Sequence, residues 1–243
     1  MHELGHTRSA VRRDHFFLAA DTFVRAAFPG IEKGVAIIHV APTAGAAFTQ
    51  YTVELEKGGF IRDAGYQRFF YVLHGAAMFS IAGTEHALRV GSYGFAPADA
   101  AHKLVASEAC RIVVIEKPYV TADGVGRPEM FVGHEPDIAP THLYGDPRLE
   151  VRAMVPESAT FDFAVNTMTY QPGAALAHVE IHIMEHGLLM LEGGGIYRLG
   201  DAWYPTKAGD FIWMATYCPQ WFGALGKTQS KYLIYKDWNR HPL

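Results

Sequence analysis

The sequence predicts an all-β protein made of two similar barrels in tandem. Short apolar runs rich in β-branched and aromatic residues recur about every ten residues, and glycine or proline closes most of them. Strands separated by such short turns are typical of sandwiches and barrels, because parallel sheets need longer crossovers between their strands. The pattern occurs on both sides of a proline-rich segment. We therefore expect two β domains joined by a linker.

The N-terminal half begins with residues 1–30, which mix charged residues with short apolar runs and end at Pro29-Gly30. This pattern predicts an arm with short strands before the first compact unit. The predicted strands after it are residues 35–40, 48–55, 69–73, 77–81, 93–96 and 111–116. We assign residues 1–117 to an N-terminal barrel together with its arm. Residues 118–149 contain several prolines and lose the apolar periodicity, which predicts a linker.

The C-terminal half, residues 150–243, repeats the strand pattern. Its predicted strands are residues 161–170, 180–186, 188–191, 196–199, 211–214 and 232–235. Three pairs of residues lie 118 positions apart in the two halves, namely Gly75 with Gly193, Gly91 with Gly209, and His102 with Gln220. One inserted residue then aligns residues 113–117 with residues 232–236. These matches indicate duplication of one β domain.

Composition excludes several classes of protein. A hydrophobic fraction of 49% with 19% charged residues indicates a folded chain and not a disordered one. The net charge of -4, with no basic run longer than Arg12-Arg13, predicts no nucleic-acid partner. No apolar run approaches the roughly 18 residues that cross a bilayer, so we expect no membrane partner. Cys110 and Cys218 lack metal or disulfide spacing, which favours a reducing, cytoplasmic setting.

One stretch of the C-terminal half carries clustered metal-type ligands. Glu180 and His182 would project from the same face of a strand, and His186 could return to the same point after a short turn. A carboxylate with two imidazoles suits Mn²⁺, Fe²⁺, Zn²⁺ or Ni²⁺ without selecting among them. Because the chain contains 13 histidines, a chance cluster is the alternative interpretation of this spacing.

The same stretch resembles the first motif of the cupin superfamily, whose members are small double-stranded β-barrels with the pattern G-x5-H-x-H-x3,4-E-x6-G. Glu180, His182, His186 and Gly193 follow its spacing with glutamate in the first histidine place and histidine in the glutamate place. The second motif, G-x5-P-x-G-x2-H-x3-N, would begin at residue 209 and place Gln220 where its histidine is usual. The resemblance implies two tandem cupin barrels with a four-ligand site in the second.

The N-terminal half departs from the first cupin motif. The second motif is recognisable from Gly91 to His102, but Arg62, Ala64 and Arg68 stand where the first motif would supply ligands. We therefore expect the N-terminal barrel to be free of metal.

The ligand pattern and the chain ending at residues 232–240 resemble the (S)-ureidoglycine aminohydrolase family of cupins. The similarity extends to residues 4–8 and 28–30, and so covers nearly the whole chain. It implies an oligomeric, manganese-dependent enzyme of purine (allantoin) breakdown that releases ammonia from ureidoglycine and forms (S)-ureidoglycolate. Carried over position by position, the resemblance implies that the metal is bound by Glu180, His182, His186 and Gln220. It also implies that the substrate is contacted by Tyr197, Tyr232, Lys236 and Gln220.

The chemistry expected from this resemblance needs proton transfer, because the leaving nitrogen gains a proton while water adds to the same carbon. Glu180 or a coordinated water could move protons, and Lys236 could bind the substrate carboxylate or donate a proton. Outside the resemblance, Tyr197 could be a barrel-wall residue and Lys236 a solvated lysine. Two other functions remain open, a different metal-dependent cupin enzyme such as a dioxygenase or decarboxylase, and a non-catalytic cupin that binds a small acid or sugar.

Overall fold

The structure, a computed structural model, describes residues 6–241 and confirms the predicted all-β fold. In this range the helical segments are short 3-10 turns, at Ala20–Thr22, Pro42–Ala44, Glu135–Asp137 and Leu143–Gly145. None of the helices in the described range has the length and apolar character to span a membrane. The strands in chain order are β1 (Ala10–Val11), β2 (His15–Leu18), β3 (Arg25–Ala26), β4 (Ile31–Val40), β5 (Thr49–Arg62), β6 (Gln67–His74), β7 (Ala77–Ile81), β8 (Thr84–Leu88), β9 (Ser92–Ala96), β10 (His102–Ala106), β11 (Cys110–Lys117), β12 (Phe131–His134), β13 (Thr141–His142), β14 (Leu149–Ala153), β15 (Phe163–Tyr170), β16 (His186–Glu192), β17 (Gly194–Leu199), β18 (Ala202–Lys207), β19 (Phe211–Met214), β20 (Gln220–Ala224) and β21 (Ser230–Asp237).

The strands form two compact units. The N-terminal unit comprises residues 24–138, and the C-terminal unit combines residues 6–23 with residues 139–241 in the described range. In the N-terminal unit an antiparallel sheet runs in the order β12-β9-β6-β11-β5-β10-β7-β8, with β4 against β5 and β3 against β4. The β-branched run of β11 supplies Ile112 and Val114 to a core that also contains Phe70 and Phe79.

The C-terminal unit has two antiparallel sheets. One runs in the order β1-β2-β19-β16-β21-β15-β14-β13, and the other in the order β18-β17-β20. Leu188 and Ile234 from the larger sheet pack in the same buried core as Leu199 and Phe222 from the smaller one. Alternation along β17 places Tyr197 and Leu199 on the buried face. The core thus lies between two sheets, as in a double-stranded barrel.

Residues 6–23 of the arm belong to the C-terminal unit, which differs from the assignment of residues 1–117 to one barrel. Strand β2 pairs with β19, so that Phe17 lies opposite Ile212 and Phe16 lies opposite Trp213. The ring of Phe17 is fully buried in that position. The reason is that β19 offers an open edge of backbone groups, and the arm satisfies them with an extended segment from far away in the sequence. Leu4 and Gly5 lie outside the described residues.

A partly buried ion pair also ties the arm to the rest of the C-terminal unit. Arg8 donates from Nη1 to Asp210 Oδ2 at 2.7 Å and from Nη2 to Oδ1 at 2.8 Å. The Asp210 side chain is fully buried, and its carboxylate also accepts from the Ala20 and Lys207 backbone N–H groups. The Asp210 carboxylate therefore holds both the arm and the turn before β19 through hydrogen bonds.

We expect Asp210→Ala to lower the free energy of unfolding by about 2–3 kcal/mol, because several charge-assisted hydrogen bonds lose their acceptor at once. Chemical denaturation measures this change. Asp201→Ala is the control, because Asp201 is an exposed carboxylate and its loss should change the free energy by less than about 0.5 kcal/mol. Equal losses in the two variants would contradict this role of Asp210.

The predicted linker, residues 118–149, is partly regular. Phe131 pairs with Phe95 as β12 extends the N-terminal sheet, and Thr141 pairs with Val151 as β13 extends the C-terminal one. The division between the units therefore falls at residues 138 and 139. Edge strands can add short segments through backbone hydrogen bonds alone, which leave no apolar periodicity in the sequence.

The repeat is present in the strands, but its register changes near the end. Strand β11 places Glu116 opposite Arg68, and β21 places Lys236 opposite His186. Because Arg68 and His186 are equivalent at the offset of 118, the equivalent of Lys236 is Glu116 and not Lys117. Two residues have been inserted in the C-terminal half before this strand, in place of the one expected from the sequence.

Two glycines of the repeat occupy equivalent tight turns. Gly75 and Gly193 have φ values of +75° and +63°. A Cβ atom would lie 2.2 Å from the Ala109 carbonyl oxygen in the first turn and 2.3 Å from the Gln229 carbonyl oxygen in the second. Both the backbone conformation and the close approach therefore require glycine.

Candidate metal centre

The ligand-bearing segment before β16 is held by backbone bonds to the loop and strand that carry Gln220. Glu180 N–H donates to the Gln220 carbonyl at 2.8 Å, and Gln220 N–H donates to the Glu180 carbonyl at 3.0 Å. Tyr217 N–H donates to the His182 carbonyl at 2.8 Å. The regular strand predicted for residues 180–186 is wrong, because these bonds create an isolated bridge and β16 begins only at His186.

The four expected ligand side chains meet around His182. Its Nε2 atom lies 3.3 Å from His186 Nε2 and 2.8 Å from Gln220 Nε2. The Glu180 Oε2 atom lies 3.9 Å from the same nitrogen. The structure thus brings together the two cupin-like motifs, which are separated in the sequence.

The tautomer of His186 is set by the backbone. Its Nδ1 atom lies 3.1 Å from the Tyr235 carbonyl and donates to it, which leaves a lone pair on Nε2 directed at the cluster. Burial, with a smaller contribution from His182, lowers the pKa of His186 to about 3. A neutral imidazole oriented by a carbonyl is the form in which histidine binds metals.

The cluster fits a divalent cation. If the Gln220 amide donates to His182 Nε2, both imidazoles present lone pairs to each other at 3.3 Å, which is electrostatically unfavourable unless a cation lies between them. The buried His182 Nδ1 atom has no hydrogen-bond partner within residues 6–241, so no second bond fixes this ring. One carboxylate, two imidazoles and one amide are donors that Mn²⁺, Fe²⁺, Zn²⁺ and Ni²⁺ accept.

Tyr197 contacts the Gln220 side chain. Its hydroxyl donates to Gln220 Oε1 at 3.3 Å, and its ring is almost completely buried in the wall of the barrel. Turning the amide by half a rotation would direct Oε1 at the cluster, and the Tyr197 hydroxyl could then accept from Nε2. Burial raises the pKa of Tyr197 well above its usual value, so this phenol stays protonated. Tyr197 thus lies in the cavity wall, where its hydroxyl can orient the Gln220 amide.

The cluster opens into a cavity of about 530 Å³ in the C-terminal unit, a size suited to a small molecule. All seven residues singled out from the sequence line it, namely Glu180, His182, His186, Tyr197, Gln220, Tyr232 and Lys236. The Glu180 and His182 side chains are 21% and 24% exposed, so the ligand cluster can be reached from solvent.

Lys236 and Tyr232 lie on β21 and face this cavity. The Lys236 ammonium donates to the Asn166 side-chain oxygen at 3.1 Å when the amide is oriented to satisfy both groups. Burial lowers the pKa of Lys236. The Tyr232 hydroxyl lies 2.8 Å from that of Tyr170 and 3.3 Å from the Met168 sulfur. Both β21 side chains are thus fixed by neighbours on β15.

Two of the lining residues that contact a predicted site residue, Tyr144 and Asn166, were not found from the sequence. Tyr144 comes from the proline-rich segment, and its hydroxyl donates to Glu180 Oε1 at 2.5 Å. No spacing pattern links it to Glu180. Asn166 is a buried amide in the middle of the apolar strand β15, and an amide at such a position was a usable signal of a polar partner.

The equivalent positions of the N-terminal unit hold an ion pair. Arg68 donates from Nε and Nη2 to Glu116 Oε1 at 2.7 and 2.5 Å, and from Nη1 to His102 Nε2 at 2.8 Å. Tyr51 also donates to Glu116, at 3.1 Å. In the N-terminal unit these side chains therefore form hydrogen bonds with one another. The equivalent positions of the C-terminal unit carry side chains of the candidate metal centre.

A separate group of ligand-type atoms, from Asp14, His15 and Cys218, lies within 4.8 Å in the C-terminal unit. His15 Nδ1 is 2.9 Å from Asp14, and its Nε2 is 2.8 Å from the Tyr204 hydroxyl. Burial raises the pKa of the Cys218 thiol to about 12, so it is protonated at neutral pH. Hydrogen bonds to Asp14 and Tyr204 account for the orientation of the His15 ring.

Known proteins resemble this chain in sequence and in fold. The family model described as "EutQ-like cupin domain" matches residues 42–119. A protein of Oryza sativa subsp. japonica named "Probable (S)-ureidoglycine aminohydrolase" is 39% identical over 98% of this chain and 78% of its own length. The (S)-ureidoglycine aminohydrolase of Escherichia coli (strain K12) is 30% identical over 96% of this chain and 92% of its own. A crystal structure from Pseudomonas aeruginosa, of a protein named for induction by glyoxylate, has a TM-score of 0.90 and 31% identity and covers 100% of this chain and 95% of that one.

Proposed function

Because the chain belongs to the (S)-ureidoglycine aminohydrolase family of cupins, we propose that it releases the amino group of (S)-ureidoglycine as ammonia and leaves (S)-ureidoglycolate. The observation that supports this proposal is the meeting of Glu180, His182, His186 and Gln220 in a small-molecule cavity that also contains Lys236. The C-terminal unit carries the reaction in this proposal.

We propose Mn²⁺ as the metal, held by Glu180, His182, His186 and Gln220. Two oxygen donors beside two imidazoles form a harder set than an all-histidine site, which suits Mn²⁺ better than copper. Four protein ligands would leave about two positions of a six-coordinate ion for other groups. The bound ion would supply positive charge that orients the carboxylate or amine of the substrate.

The reaction breaks the bond between the central carbon and the amine nitrogen and forms a bond from that carbon to a water oxygen. The leaving nitrogen takes up a proton and the entering water loses one, so the net products are ammonia and the hydroxy acid. The chain must therefore hold an acid and a base on the two sides of one carbon. Glu180 and Lys236 are the ionisable groups that we assign to this proton movement.

Lys236 is placed to contact substrate in the cavity. Its ammonium has three N–H donors, and Asn166 accepts one of them, so two can reach a substrate carboxylate or a leaving amine. Tyr232 borders the same space and can contact substrate beside Lys236. Tyr197 contributes indirectly, through its bond to Gln220.

We expect the chelator-treated protein to release ammonia from freshly prepared ureidoglycine at the spontaneous rate, and added Mn²⁺ to restore fast release. The measurement is ammonia production under anaerobic conditions, with parallel measurement of oxygen uptake in air. A hydrolase works without oxygen, whereas a dioxygenase consumes it and a decarboxylase releases carbon dioxide. Ammonia release no faster than the spontaneous rate with Mn²⁺-loaded protein would rule out the proposed activity and favour a non-catalytic binding role.

A further inference from the structure

Tyr144 reaches the ligand cluster from the segment that follows the N-terminal unit in the chain. It lies in the 3-10 turn Leu143–Gly145, and its hydroxyl donates to Glu180 Oε1 at 2.5 Å. Its ring is 5.4 Å from that of His178, and both side chains line the cavity. A side chain from outside the two cupin motifs is therefore in direct contact with an expected metal ligand.

The two oxygens of Glu180 face different partners. Oε1 accepts from Tyr144, whereas Oε2 is the oxygen that lies 3.9 Å from His182 Nε2. A carboxylate can bind a metal through one oxygen or through both, and an outer hydrogen bond to one oxygen favours binding through the other. The hydroxyl of Tyr144 thus occupies Oε1 of Glu180 and leaves Oε2 to face His182.

The backbone of Tyr144 supports the same conclusion. Its φ and ψ angles of 55° and 20° lie in the left-handed region, which residues with a side chain seldom occupy. Such conformations persist when the surrounding structure fixes them, and they concentrate at functional sites. The bond to Glu180 and the ring contact with His178 are the interactions that hold this side chain over the cavity.

We propose that Tyr144 is a positioning residue that holds Glu180 for single-oxygen metal binding. This inference rests on the proposed function in one respect, because it requires a divalent metal at the Glu180, His182, His186 and Gln220 cluster. It adds that the two cupin motifs do not complete the site by themselves. Tyr144, which lies at the start of the C-terminal unit and before β14, supplies a further contact to the ligand set.

The test is the affinity of the metal-free, full-length protein for Mn²⁺ alone, followed by the electron paramagnetic resonance signal of free Mn²⁺ during titration. We expect Tyr144→Phe to raise the dissociation constant by about 10-fold, because loss of an outer hydrogen bond to a ligand costs roughly 10–100-fold in affinity. The spectrum of bound Mn²⁺ should also change, because Glu180 is then free to rotate. Neither readout needs substrate.

Tyr66→Phe is the matched control. Tyr66 is an exposed tyrosine of the N-terminal unit, and it lies far in the sequence from every expected ligand. The melting temperatures of the metal-free wild type and both variants should agree, which separates a positioning effect from damage to the fold. Equal Mn²⁺ affinities and spectra in the wild type and Tyr144→Phe would overturn the role of Tyr144 alone. A wild type that binds no Mn²⁺ would overturn the metal assignment and this inference with it.

Discussion

Replacing His182 with alanine is expected to empty the proposed metal site and to lower the proposed Mn²⁺-dependent rate of ammonia release by more than about 100-fold. This is the upper end of the loss in affinity or activity that follows removal of an outer-shell partner. His182 Nε2 is the atom around which the other three ligand side chains gather, at 2.8, 3.3 and 3.9 Å. Glu180→Ala should have the same effect, because it removes the anionic ligand. Mass spectrometry for metal content and the anaerobic ammonia assay measure both results.

His74→Ala is the control for this prediction. His74 is an exposed histidine at the end of β6 in the N-terminal unit, so its loss should change neither metal content nor rate. The melting temperatures of the metal-free His182→Ala and wild-type proteins should be similar, because His182 is partly exposed and lies outside a regular strand. Full metal occupancy in both His182→Ala and Glu180→Ala would show that the ligand assignment is incorrect.

Replacing Arg68 with methionine is expected to lower the free energy of unfolding by about 3–5 kcal/mol, because it leaves a buried carboxylate without its cationic partner. The Arg68 side chain is 1% exposed and that of Glu116 is 6% exposed. The guanidinium also donates to His102 and to the Arg62 carbonyl, so several acceptors lose their donor together. Denaturant titration followed by circular dichroism measures the change.

Arg62→Met is the matched control, because Arg62 forms an ion pair with Glu32 in which both side chains are more than half exposed. Its loss should lower the free energy of unfolding by only about 0–1 kcal/mol. The double variant Arg68→Met with Glu116→Leu should recover much of the loss, since apolar pairs often replace buried ion pairs without penalty. An Arg68→Met variant as stable as Arg62→Met would contradict the structural role of this pair.

The sequence predicted strands correctly where a continuous run of apolar residues marks them. It missed strands that are defined only by backbone hydrogen bonds to a neighbouring strand. Residues 77–81 and 211–214 were predicted with the bounds of β7 and β19. Strands β8, β10 and β18 were not predicted, because they are short and mix polar with apolar residues. Backbone hydrogen bonds to their neighbours form these strands, and such bonds leave little trace in local composition.

The side chains that meet at the candidate metal centre could be selected from the sequence for a different reason. The spacing of Glu180, His182 and His186 is local, and the repeat joined Gln220 to them through its equivalence with His102. By contrast, the position of Lys236 in the repeat was misjudged by one residue, because only the pairing of Lys236 with His186 reveals the second inserted residue.

The sequence by itself determined the all-β class and indicated the duplication and the candidate ligands, because strand periodicity and motif spacing follow from local backbone geometry. Only the tertiary structure decided that the arm pairs with β19, that Asn166 holds Lys236 and that Tyr144 holds Glu180. Each of these contacts joins residues at least 36 positions apart. Their formation depends on how the sheets pack and on which backbone edges are left open, and no local pattern in the chain encodes that outcome.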